Sequence, residues 1–528
     1  MLQPNNHVPL RDYSKALGGL FAMRVVHDHI LVAADARAVN LLFGAGEGLD
    51  KALEPDRADK MISHKAGHHT LFSADTNSPY WRLVRKGTAP AFVMKNIRNG
   101  FPGIVALADR MGRGLAGAGA GSPIDMNNVF MRYAMDITGV VGFAKDFRAT
   151  ASVGAHCADP ATDSLFECLR DGMLELYRSA TNPAQGLMFW NAEHRRGVAA
   201  FGTFKAHMKA LVDEVKARGP PARSDVSIAA HLLRLTDPAS GAPLDDELLA
   251  GEFSVYFAAG IESASNAMTW TAYLVSQHPA VEARLVAELA GEGLLATAAA
   301  PHPRPVAYGD LARLPYLAAV CKEAMRVRPV ASSGTTRRVK RDLMLNGYLI
   351  PAGSTILCPF DAVHKLASNW GPDADAFNPD RWAEAGAEFL PADDAAAGGG
   401  GGEGDVHLAA TGDVGEVETT RVRRFIPFSV GPRQCVGQSL ARLMHDGGLA
   451  SLYQRFSFRL ADSMGGAAGV EANEINRLTL QPGAGMWMHA EPRVPGCDSV
   501  YPPLDGSAPM DLGLAAWVGA AAAVAAEE

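Results

Sequence analysis

Cysteine is scarce in this chain. Only six of its 528 residues are cysteine, and no two of them form a C-x-x-C pair. Neither a disulfide framework nor a zinc site therefore has a signature in the sequence, which is typical of a protein from a reducing compartment. A basic excess is also missing, because 49 lysines and arginines face 57 aspartates and glutamates, for a net charge of −8. Nothing in this balance would neutralise phosphates, so binding to nucleic acid is not expected.

Long apolar stretches are absent too. No run of consecutive apolar residues is long enough to cross a membrane, so the sequence predicts no membrane-spanning helix. Residues 1–19 lack the charged and apolar regions that make a signal peptide. The alanine-rich stretch at 513–526 is too short to span, and residues 503–528 are interpreted as a low-complexity tail.

Helical periodicity dominates what the sequence does contain. Apolar residues recur at helical spacing from about residue 78 to 275. Residues 245–279 predict one long buried helix, and residues 316–327 predict a second, each of which ends at or near a proline. The predicted fold class is therefore mainly α, with a smaller β component.

The β component is predicted in three places. Residues 20–36 alternate well enough for two short strands. Residues 343–359 predict a hairpin that turns on Asn346–Gly347, a dipeptide suited to a two-residue turn. A last hairpin is predicted at 478–493, near the end of the patterned sequence.

One segment interrupts the patterned sequence. Residues 383–420 contain no lysine or arginine, many acids and a run of five glycines, which predicts a disordered surface insertion. Around this insertion, residues 1–502 are expected to form a single domain.

One cysteine has unusual neighbours. Cys435 lies in FSVGPRQCVGQ, residues 428–438, between two glycines. A helix is predicted to begin directly after it, and the amides and dipole of a helix start would stabilise a thiolate and lower its pKa. Gly431 suits a turn that needs positive φ, and Gly437 would let the helix backbone approach a flat group.

Two more residues complete this stretch. Phe428 would shield the sulfur from water, and Arg433 offers a guanidinium group to a carboxylate. A shielded thiolate beside a flat, carboxylate-bearing group is what a haem iron with an axial thiolate requires. F-x-x-G-x-R-x-C-x-G is the haem-binding loop of the cytochrome P450 family, which this chain resembles from about residue 20 to 493. On this motif alone, the alternative is a buried structural cysteine in a turn.

The resemblance extends to a second group of motifs. Glu323 and Arg326 stand three residues apart on a predicted helix, so their side chains can meet. FNPDRW, residues 377–382, follows and supplies Arg381. In the family, these three residues form a network that holds the haem loop, so their expected role here is structural rather than catalytic.

The resemblance also implies contacts to the haem propionates. Trp81 and Arg85 lie four apart in WRLVR and would share one helix face. Arg433 and Arg337 are the further expected partners. Arg338, next in the chain, competes with Arg337 for this role.

The long predicted helix carries AGIES, residues 259–263. The family pattern at this place is A-G-x-[DE]-T, so the chain has serine where the family has threonine. An alanine–glycine step lets a helix approach a flat ring, and an acid followed by an alcohol can pass protons through water. Glu262 and Ser263 are therefore the expected catalytic pair. Without the cysteine motif, the pair would be an ordinary polar spot on a helix.

The expected function follows from the family. Resemblance implies haem b, bound through Cys435 between the long central helix and the helix after the cysteine. It implies a monooxygenase that inserts one oxygen atom of O2 into a lipophilic small molecule. Substrate contacts are expected from four stretches that are mostly apolar or small: residues 61–75, Phe257 to Ala259, Val330 to Thr335, and Gly483 to Met486.

A separate electron donor is expected, either an NADPH-dependent flavoprotein reductase or a ferredoxin. About ninety residues follow the cysteine loop, which is too few for a flavin domain, and no dinucleotide-binding glycine motif appears. Residues 421–425, RVRRF, with Arg82 and Lys86 suggest a basic docking patch on the cysteine side. The alternative for this patch is an ordinary solvated charge run.

Two other functions remain open from the sequence. One is an isomerase or dehydratase of the same fold that rearranges a peroxide without external electrons, and the other is a non-enzymatic haem sensor. The chain is expected to be a monomer. Its localisation is open between attachment to the endoplasmic reticulum, through a segment preceding this sequence, and a soluble cytoplasmic protein.

Overall fold

A computed structural model describes most of the chain, and its described residues are 5–25, 28–44, 49–50, 69–118, 121–153, 160–181, 185–237, 240–345, 348–390, 408–410 and 422–497. Helices dominate. The α-helices are α1 His7–Leu17, α2 Ala36–Gly44, α3 Pro79–Thr88, α4 Met94–Asn99, α5 Phe101–Gly117, α6 Met126–Phe143, α7 Pro160–Thr181, α8 Ala192–Ala217, α9 Ile228–Leu233, α10 Asp246–Ser276, α11 Pro279–Gly291, α12 Pro315–Val327, α13 Phe360–Lys365, α14 Ala367–Trp370, α15 Gln438–Tyr453 and α16 Gly466–Ala472.

In the described ranges, short strands form four small sheets. The strands are β1 Leu20–Val25, β2 Asp28–Ala33, β3 Leu49–Asp50, β4 Ile124–Asp125, β5 Thr335–Val339, β6 Leu343–Leu345, β7 Tyr348–Ile350, β8 Thr355–Cys358, β9 Leu408–Ala410, β10 Phe456–Leu460, β11 Glu474–Arg477, β12 Thr479–Pro482 and β13 Trp487–Pro492. The largest sheet has the order β1-β2-β8-β5-β3, and the others are β10-β13-β4, β7-β6-β9 and β11-β12. The predicted mainly α fold class with minor β is confirmed.

The long helix α10 forms the centre of the molecule. It begins where the Asp245 side chain accepts a hydrogen bond from the amide of Leu248 at 2.7 Å, which caps the helix start. Its apolar face packs on α6, where the rings of Phe253 and Phe143 lie 4.8 Å apart between centroids. Burying each such ring stabilises the fold by about 1.5–3 kcal/mol. The predicted single helix ends at Ser276, and Pro279 begins the next helix.

The hairpins are only partly as predicted. Leu345 pairs with Tyr348, which confirms the hairpin between β6 and β7, although its two turn residues lie outside the described part of the chain. The last hairpin, predicted at 478–493, is wrong. β12 pairs instead with β11, turning at Leu478 with a φ of 68°, while β13 pairs with β10. The alternation of apolar and polar residues in both segments indicates strands, but it does not show which strands pair. The partners of both strands lie earlier in the chain.

The described parts of the predicted insertion contact the rest of the fold. The amide of Leu390 donates to the carbonyl of Val422 at 2.9 Å, so the two flanks of the insertion meet. Residues 408–410 form β9 against β6. The rest of the predicted insertion, and the predicted tail at 503–528, lie outside the described residues. Among the described helices, none is both long and apolar enough to cross a membrane.

Candidate functional site

A cavity of about 1240 Å³ separates the middle of α10 from the start of α15. Most of its lining is apolar. Nine of the predicted site residues lie on its wall, and these are Trp81, Arg85, Glu262, Ser263, Arg337, Phe428, Arg433, Cys435 and Gly437. The tenth, Gly431, lies in the turn behind the wall. Residues that are hundreds of positions apart in the chain are therefore brought to one place.

The cysteine loop, residues 428–437, is a tight turn. The amide of Cys435 donates to the carbonyl oxygen of Phe428, and the amide of Gln434 donates to that of Gly431, both at 3.0 Å. Gly431 has a φ of 76°, the left-handed conformation that favours glycine, as predicted. Helix α15 begins at Gln438, three residues beyond the cysteine. The loop therefore delivers the sulfur to the cavity at a helix start.

Cys435 is accessible from the cavity, although protein encloses it on its other sides. The amides at the helix start lower the pKa of the thiol as predicted, but the net direction is upward. Burial raises the pKa of the thiol, and the amides of Gly437 and Gln438 and the charge of Arg85 offset this only in part. Burying an anion without a partner is costly, so a thiolate here requires a cation beside the sulfur.

Arg85 and Arg433 hold the cysteine loop against neighbouring segments. Arg85, on α3, donates to the carbonyl of Gln434 at 2.6 Å. Arg433 donates to the carbonyl of Ala74 at 2.8 Å, and its guanidinium lies 4.8 Å from the ring centre of Trp81. The two predicted arginines and the tryptophan thus form one connected wall of the cavity.

The alternation of β5 separates the two competing arginines. Arg337 is buried and lies on the cavity wall, while Arg338 is exposed. Arg337 donates to the hydroxyl of Thr335 at 2.7 Å, and its guanidinium lies 5.3 Å from the ring centre of Phe43. Of the pair, only Arg337 is placed to reach a ligand in the cavity.

Behind the cysteine loop, Glu323 and Arg326 form a fully buried ion pair with bonds of 2.8 and 2.9 Å. Arg381 reaches the same carboxylate at 3.4 Å. Trp382 and the backbone amide of Asn378 each donate to it at 2.9 Å. The predicted network is confirmed, and it lies off the cavity wall.

Across the cavity, Glu262 and Ser263 lie on α10. Burial raises the pKa of the Glu262 carboxyl to about 7, while a hydrogen bond from Thr479 and the charge of Arg477 act in the opposite direction. The Ser263 hydroxyl donates to the carbonyl of Ala259 at 2.6 Å, one turn back along the helix. A carboxyl that titrates near neutral pH beside a hydroxyl suits proton transfer.

Gly260 has a packing role besides the predicted one. A Cβ at this position would lie 2.8 Å from the Thr138 hydroxyl, so the glycine permits the close packing of α10 on α6. Gly260 and its neighbour Ala259 both line the cavity, so the predicted alanine–glycine step does face it.

The predicted substrate contacts are partly corrected. Thr70, Leu71 and Phe72 line the cavity, as do Ala258, Ala259 and most of the stretch from Val330 to Thr335. Phe257 is fully buried on the opposite side of α10, and none of the residues 483–486 lines the cavity. The turn at Leu478 and Thr479 takes their place, because β12 pairs with β11 rather than β13. Residues 61–68 lie outside the described part of the chain.

Comparison with known proteins decides the family. The sequence model of the family described as Cytochrome P450 matches residues 2–467 of this chain. The chain is a cytochrome P450.

Individual relatives are distant. Cytochrome P450 3A13 of Mus musculus is 23% identical over 71% of this chain and 67% of its own length. Cytochrome P450 734A1 of Arabidopsis thaliana is 34% identical over 44% of this chain and 37% of its own length. Cytochrome P450 monooxygenase sphH of Aspergillus fumigatus is 29% identical over 47% of this chain and 40% of its own length. The chain thus spans about two thirds of the mouse relative and two fifths or less of the other two.

Membership makes this cytochrome P450 a haem enzyme of the oxygenase class, since the family binds haem through a cysteine thiolate. The cavity fits such a group. Three guanidinium groups, those of Arg85, Arg337 and Arg433, stand on its wall to receive carboxylates. The Cys435 thiol is accessible, and a Cβ placed on Gly437 would meet no atom nearer than 3.7 Å, which leaves room for a flat ring.

The basic patch of this cytochrome P450 is smaller than predicted. Arg82 and Lys86 are exposed on α3, and Arg423 is half-buried. Arg424 does not belong to the patch, because it donates to the carbonyls of Ala387 and Asn369 and lies 4.4 Å from the ring centre of Trp370. Arg421 lies outside the described residues.

A second group of possible metal ligands lies between α12 and α15. Ligand atoms of Cys321, His445 and Asp446 lie within 4.8 Å of one another. Burial raises the pKa of the Cys321 thiol well above its ordinary value, and the thiol hydrogen-bonds to Asp446. Arg442 and Lys322 act on the same carboxyl as positive charges and would oppose a dication. Cys321 is not on the cavity wall, although His445 is.

Proposed function

We propose that this cytochrome P450 is a monooxygenase that inserts one oxygen atom of O2 into a lipophilic small molecule, with Cys435 as the residue that would bind its haem iron. The observation that carries the proposal is the cavity itself. An accessible thiol lies on one side, an acid and an alcohol lie on the other, and the space between them is mostly apolar. When bound, haem supplies the activation of dioxygen.

The protein side of this chemistry begins with holding the haem. Cys435 would bind the iron, whose positive charge would offset the burial that otherwise favours the neutral thiol. Arg85, Arg337 and Arg433 would bind the propionates through charge-assisted hydrogen bonds, with Trp81 beside them. Phe428 excludes water from the sulfur, and Gly437 leaves the ring its room.

Proton delivery is the task of α10. Glu262 has a pKa of about 7, so it exists in both protonation states near neutral pH. Ser263 is the neighbouring hydroxyl that hands the proton into the cavity. Serine retains the hydroxyl of the family threonine and lacks only its methyl group, so we infer that the reaction type is unchanged.

The substrate is an apolar molecule held in the cavity. Leu71, Phe72, Ala258 and Val330 provide apolar surface, and Leu478 closes the wall from the β11–β12 turn. Small residues such as Ala259 and Gly334 leave volume for the ligand.

Electrons come from a separate protein. Arg82 and Lys86 are exposed on α3, the helix that also carries Arg85 and Trp81 to the cavity. An acidic surface on a flavoprotein or a ferredoxin would complement them. A relative from Penicillium freii is named a self-sufficient cytochrome P450 monooxygenase, so a single-chain arrangement is the alternative that reconstitution must exclude.

The first test is the difference spectrum of the dithionite-reduced holoenzyme with and without carbon monoxide. Thiolate ligation by Cys435 gives a strongly red-shifted Soret band, and Cys435→His abolishes it. Cys168→Ala is the matched control, because Cys168 is buried on α7 away from the cavity. A red-shifted band that survives in Cys435→His would overturn the assignment of the ligand.

The reaction class needs a second experiment. Holoenzyme with NADPH, an added P450 reductase and lauric acid as an apolar probe is exposed to ¹⁸O2. A monooxygenase places one ¹⁸O atom in the product and requires NADPH. Conversion of cumene hydroperoxide to a rearranged product without NADPH, together with no ¹⁸O incorporation, would support the isomerase instead.

A further inference from the structure

Within the part of the chain that the structure describes, the Glu262 carboxyl is hydrogen-bonded from one side only. Its Oε1 accepts a hydrogen bond from the Thr479 hydroxyl at 2.7 Å and lies 3.5 Å from the side-chain amide of Gln481. Both contacts fall on the same oxygen. Thr479 is the first residue of β12, immediately after the turn at Leu478, and it also lines the cavity.

A chain of buried amides fixes the direction of the Thr479 hydroxyl. The Asn127 side-chain amide donates to Thr269 Oγ1 at 3.2 Å, and the Thr269 hydroxyl itself donates to the carbonyl of Ser265 at 2.8 Å. Because that hydroxyl proton is already used, Asn127 must present its nitrogen here. The same nitrogen donates to Asn266 Oδ1 at 2.8 Å, so Asn266 must present its own nitrogen to Thr479, at 3.1 Å.

The consequence is directional. Thr479 Oγ1 accepts a hydrogen bond from the Asn266 side-chain amide. The Thr479 hydroxyl therefore directs its own hydrogen away from Asn266 and toward Glu262 Oε1. Asn127, Asn266 and Thr269 are all at least nine-tenths buried, so water does not scramble this orientation. The chain runs from α6 through α10 to β12, and it contains no ionisable member before the carboxyl.

We propose that Thr479, oriented by Asn266 and Asn127, is a positioning residue that fixes Glu262 by occupying Oε1 and leaves Oε2 as the oxygen that gains and loses the proton. The inference rests on the proposed function of Glu262 as the proton carrier. A donor held on Oε1 stabilises the carboxylate form, which opposes the effect of burial and keeps the carboxyl able to ionise near neutral pH.

Other charges face this carboxyl as well. Arg477, on β11, acts on Glu262 as a positive charge, and Arg477 in turn lies near Tyr177 and Arg178 of α7. Among the described residues, Arg477 makes no hydrogen bond to this carboxyl and affects it through its charge alone. Thr479 is therefore the group that can set the position of the carboxyl as well as its ionisation.

The test compares Thr479→Val with Thr479→Ser in the holoenzyme. Valine keeps the shape and removes the donor, whereas serine restores it. The titration of Glu262 is followed by infrared difference spectroscopy of the protonated carboxyl band, with the spectrum of Glu262→Gln subtracted. We expect the Glu262 titration to move upward by about one pH unit in Thr479→Val, since a hydrogen bond to a charged group is lost. Thr479→Ser should titrate as the wild type does.

A matched control removes the same kind of bond elsewhere. The Thr150 hydroxyl donates to the Asp136 carboxylate at 2.7 Å, far from α10 in sequence. Thr150→Val should leave the Glu262 titration unchanged, even if it lowers thermal stability. An unshifted titration in Thr479→Val would overturn the positioning role, and so would an equal shift in Thr150→Val.

Failure of the underlying function has a different signature. Turnover coupling, the product formed per NADPH consumed, is measured for Glu262→Gln beside the infrared titration. The solvent isotope effect on turnover is measured for the same variant. If Thr479→Val shifts the titration of Glu262 but Glu262→Gln changes neither the coupling nor this isotope effect, the carboxyl is positioned as stated yet carries no proton. That result would overturn proton delivery by Glu262 and, with it, the functional meaning of Thr479.

Discussion

Two glutamates are held very differently, one fully buried behind the cysteine loop and one half-buried on the cavity wall. Glu323, behind the cysteine loop, is bonded by Arg326, Arg381, Trp382 and a backbone amide, so both of its oxygens are engaged. Glu262, on α10, has one firm donor, and that donor is a neutral hydroxyl. The first arrangement suits a carboxylate that stays charged, whereas the second suits one that exchanges a proton.

The difference extends to the regions around them. The Glu323 region joins three stretches of chain, since Arg326 also donates to the carbonyls of His364 and Ala376 at 2.7 Å. Removing one side chain from this network leaves buried partners without their hydrogen bonds. The Glu262 region joins α10 to a single turn, and one oxygen of its carboxyl stays available. The network that supports the cysteine loop and the carboxyl that can exchange a proton therefore lie in separate regions of the molecule.

The same substitution at the two sites should have opposite effects. Glu323→Gln removes the carboxylate that pairs with the fully buried Arg326, and leaving a buried charge unpaired costs about 3–5 kcal/mol. We expect the free energy of unfolding to fall by that amount, with loss of the carbon monoxide band. Urea denaturation of the apoprotein measures the first effect, and the reduced spectrum measures the second.

The control for this variant lies next to Arg381 in the chain. Asp380 pairs with Arg284 at 2.8 Å, but both side chains are more than half exposed. Asp380→Asn should therefore cost no more than about 1 kcal/mol. Equal losses in the two variants would mean that the Glu323 network has no special share in stability.

Much of the Glu323 side was predictable from sequence. Cys435 and its loop are contiguous, and Glu323 and Arg326 are one helical turn apart, so their contacts follow from local geometry. The choice of Arg337 over Arg338 also required the alternation of β5, which turns Arg338 outward. The direction of the Cys435 pKa could not be predicted, because it depends on how deeply the surrounding chain buries the sulfur.

The Glu262 side was only half predictable. The acid and the alcohol are visible in AGIES, but Thr479 is 217 residues away from Glu262, and nothing in its local pattern marks it as a partner. Its place depends on β12 pairing with β11, which was predicted wrongly. The packing role of Gly260 was likewise missed, because the approach of Thr138 from α6 is not visible in the sequence.

Glu262→Gln should stabilise the protein at alkaline pH. The pKa of the Glu262 carboxyl is raised from an ordinary 4.5 to about 7 on folding, so the folded state binds the proton more tightly than the unfolded state. Stability from this group is complete below about pH 4.5 and is lost as the pH rises through 7. At pH 8 the variant should exceed the wild type by up to about 3 kcal/mol, because each pH unit between the unfolded and folded pKa values contributes about 1.4 kcal/mol.

The measurement is a series of urea denaturations between pH 5 and 8. The difference between Glu262→Gln and the wild type should grow with pH and level off above 7. Glu384→Gln, at an exposed position, should show no such trend. A constant difference across the series would mean that the carboxyl does not change its ionisation on folding.

Two glycines of the cysteine loop give the smallest expected effects, and they separate stability from haem binding. Gly431 has a φ of 76°, so Gly431→Ala forces a side chain into the left-handed region and should cost about 1–2 kcal/mol of stability.

Gly437 has a φ of −83°, and a Cβ there lies 3.9 Å from the Cys435 sulfur on the cavity side. Gly437→Ala should therefore leave the apoprotein as stable as the wild type within about 0.5 kcal/mol, yet lower the ratio of haem to protein. Denaturation of the two apoproteins and their haem content after reconstitution distinguish the roles. If Gly437→Ala lost stability but kept its haem, the room in front of that glycine would belong to the fold rather than to the cofactor.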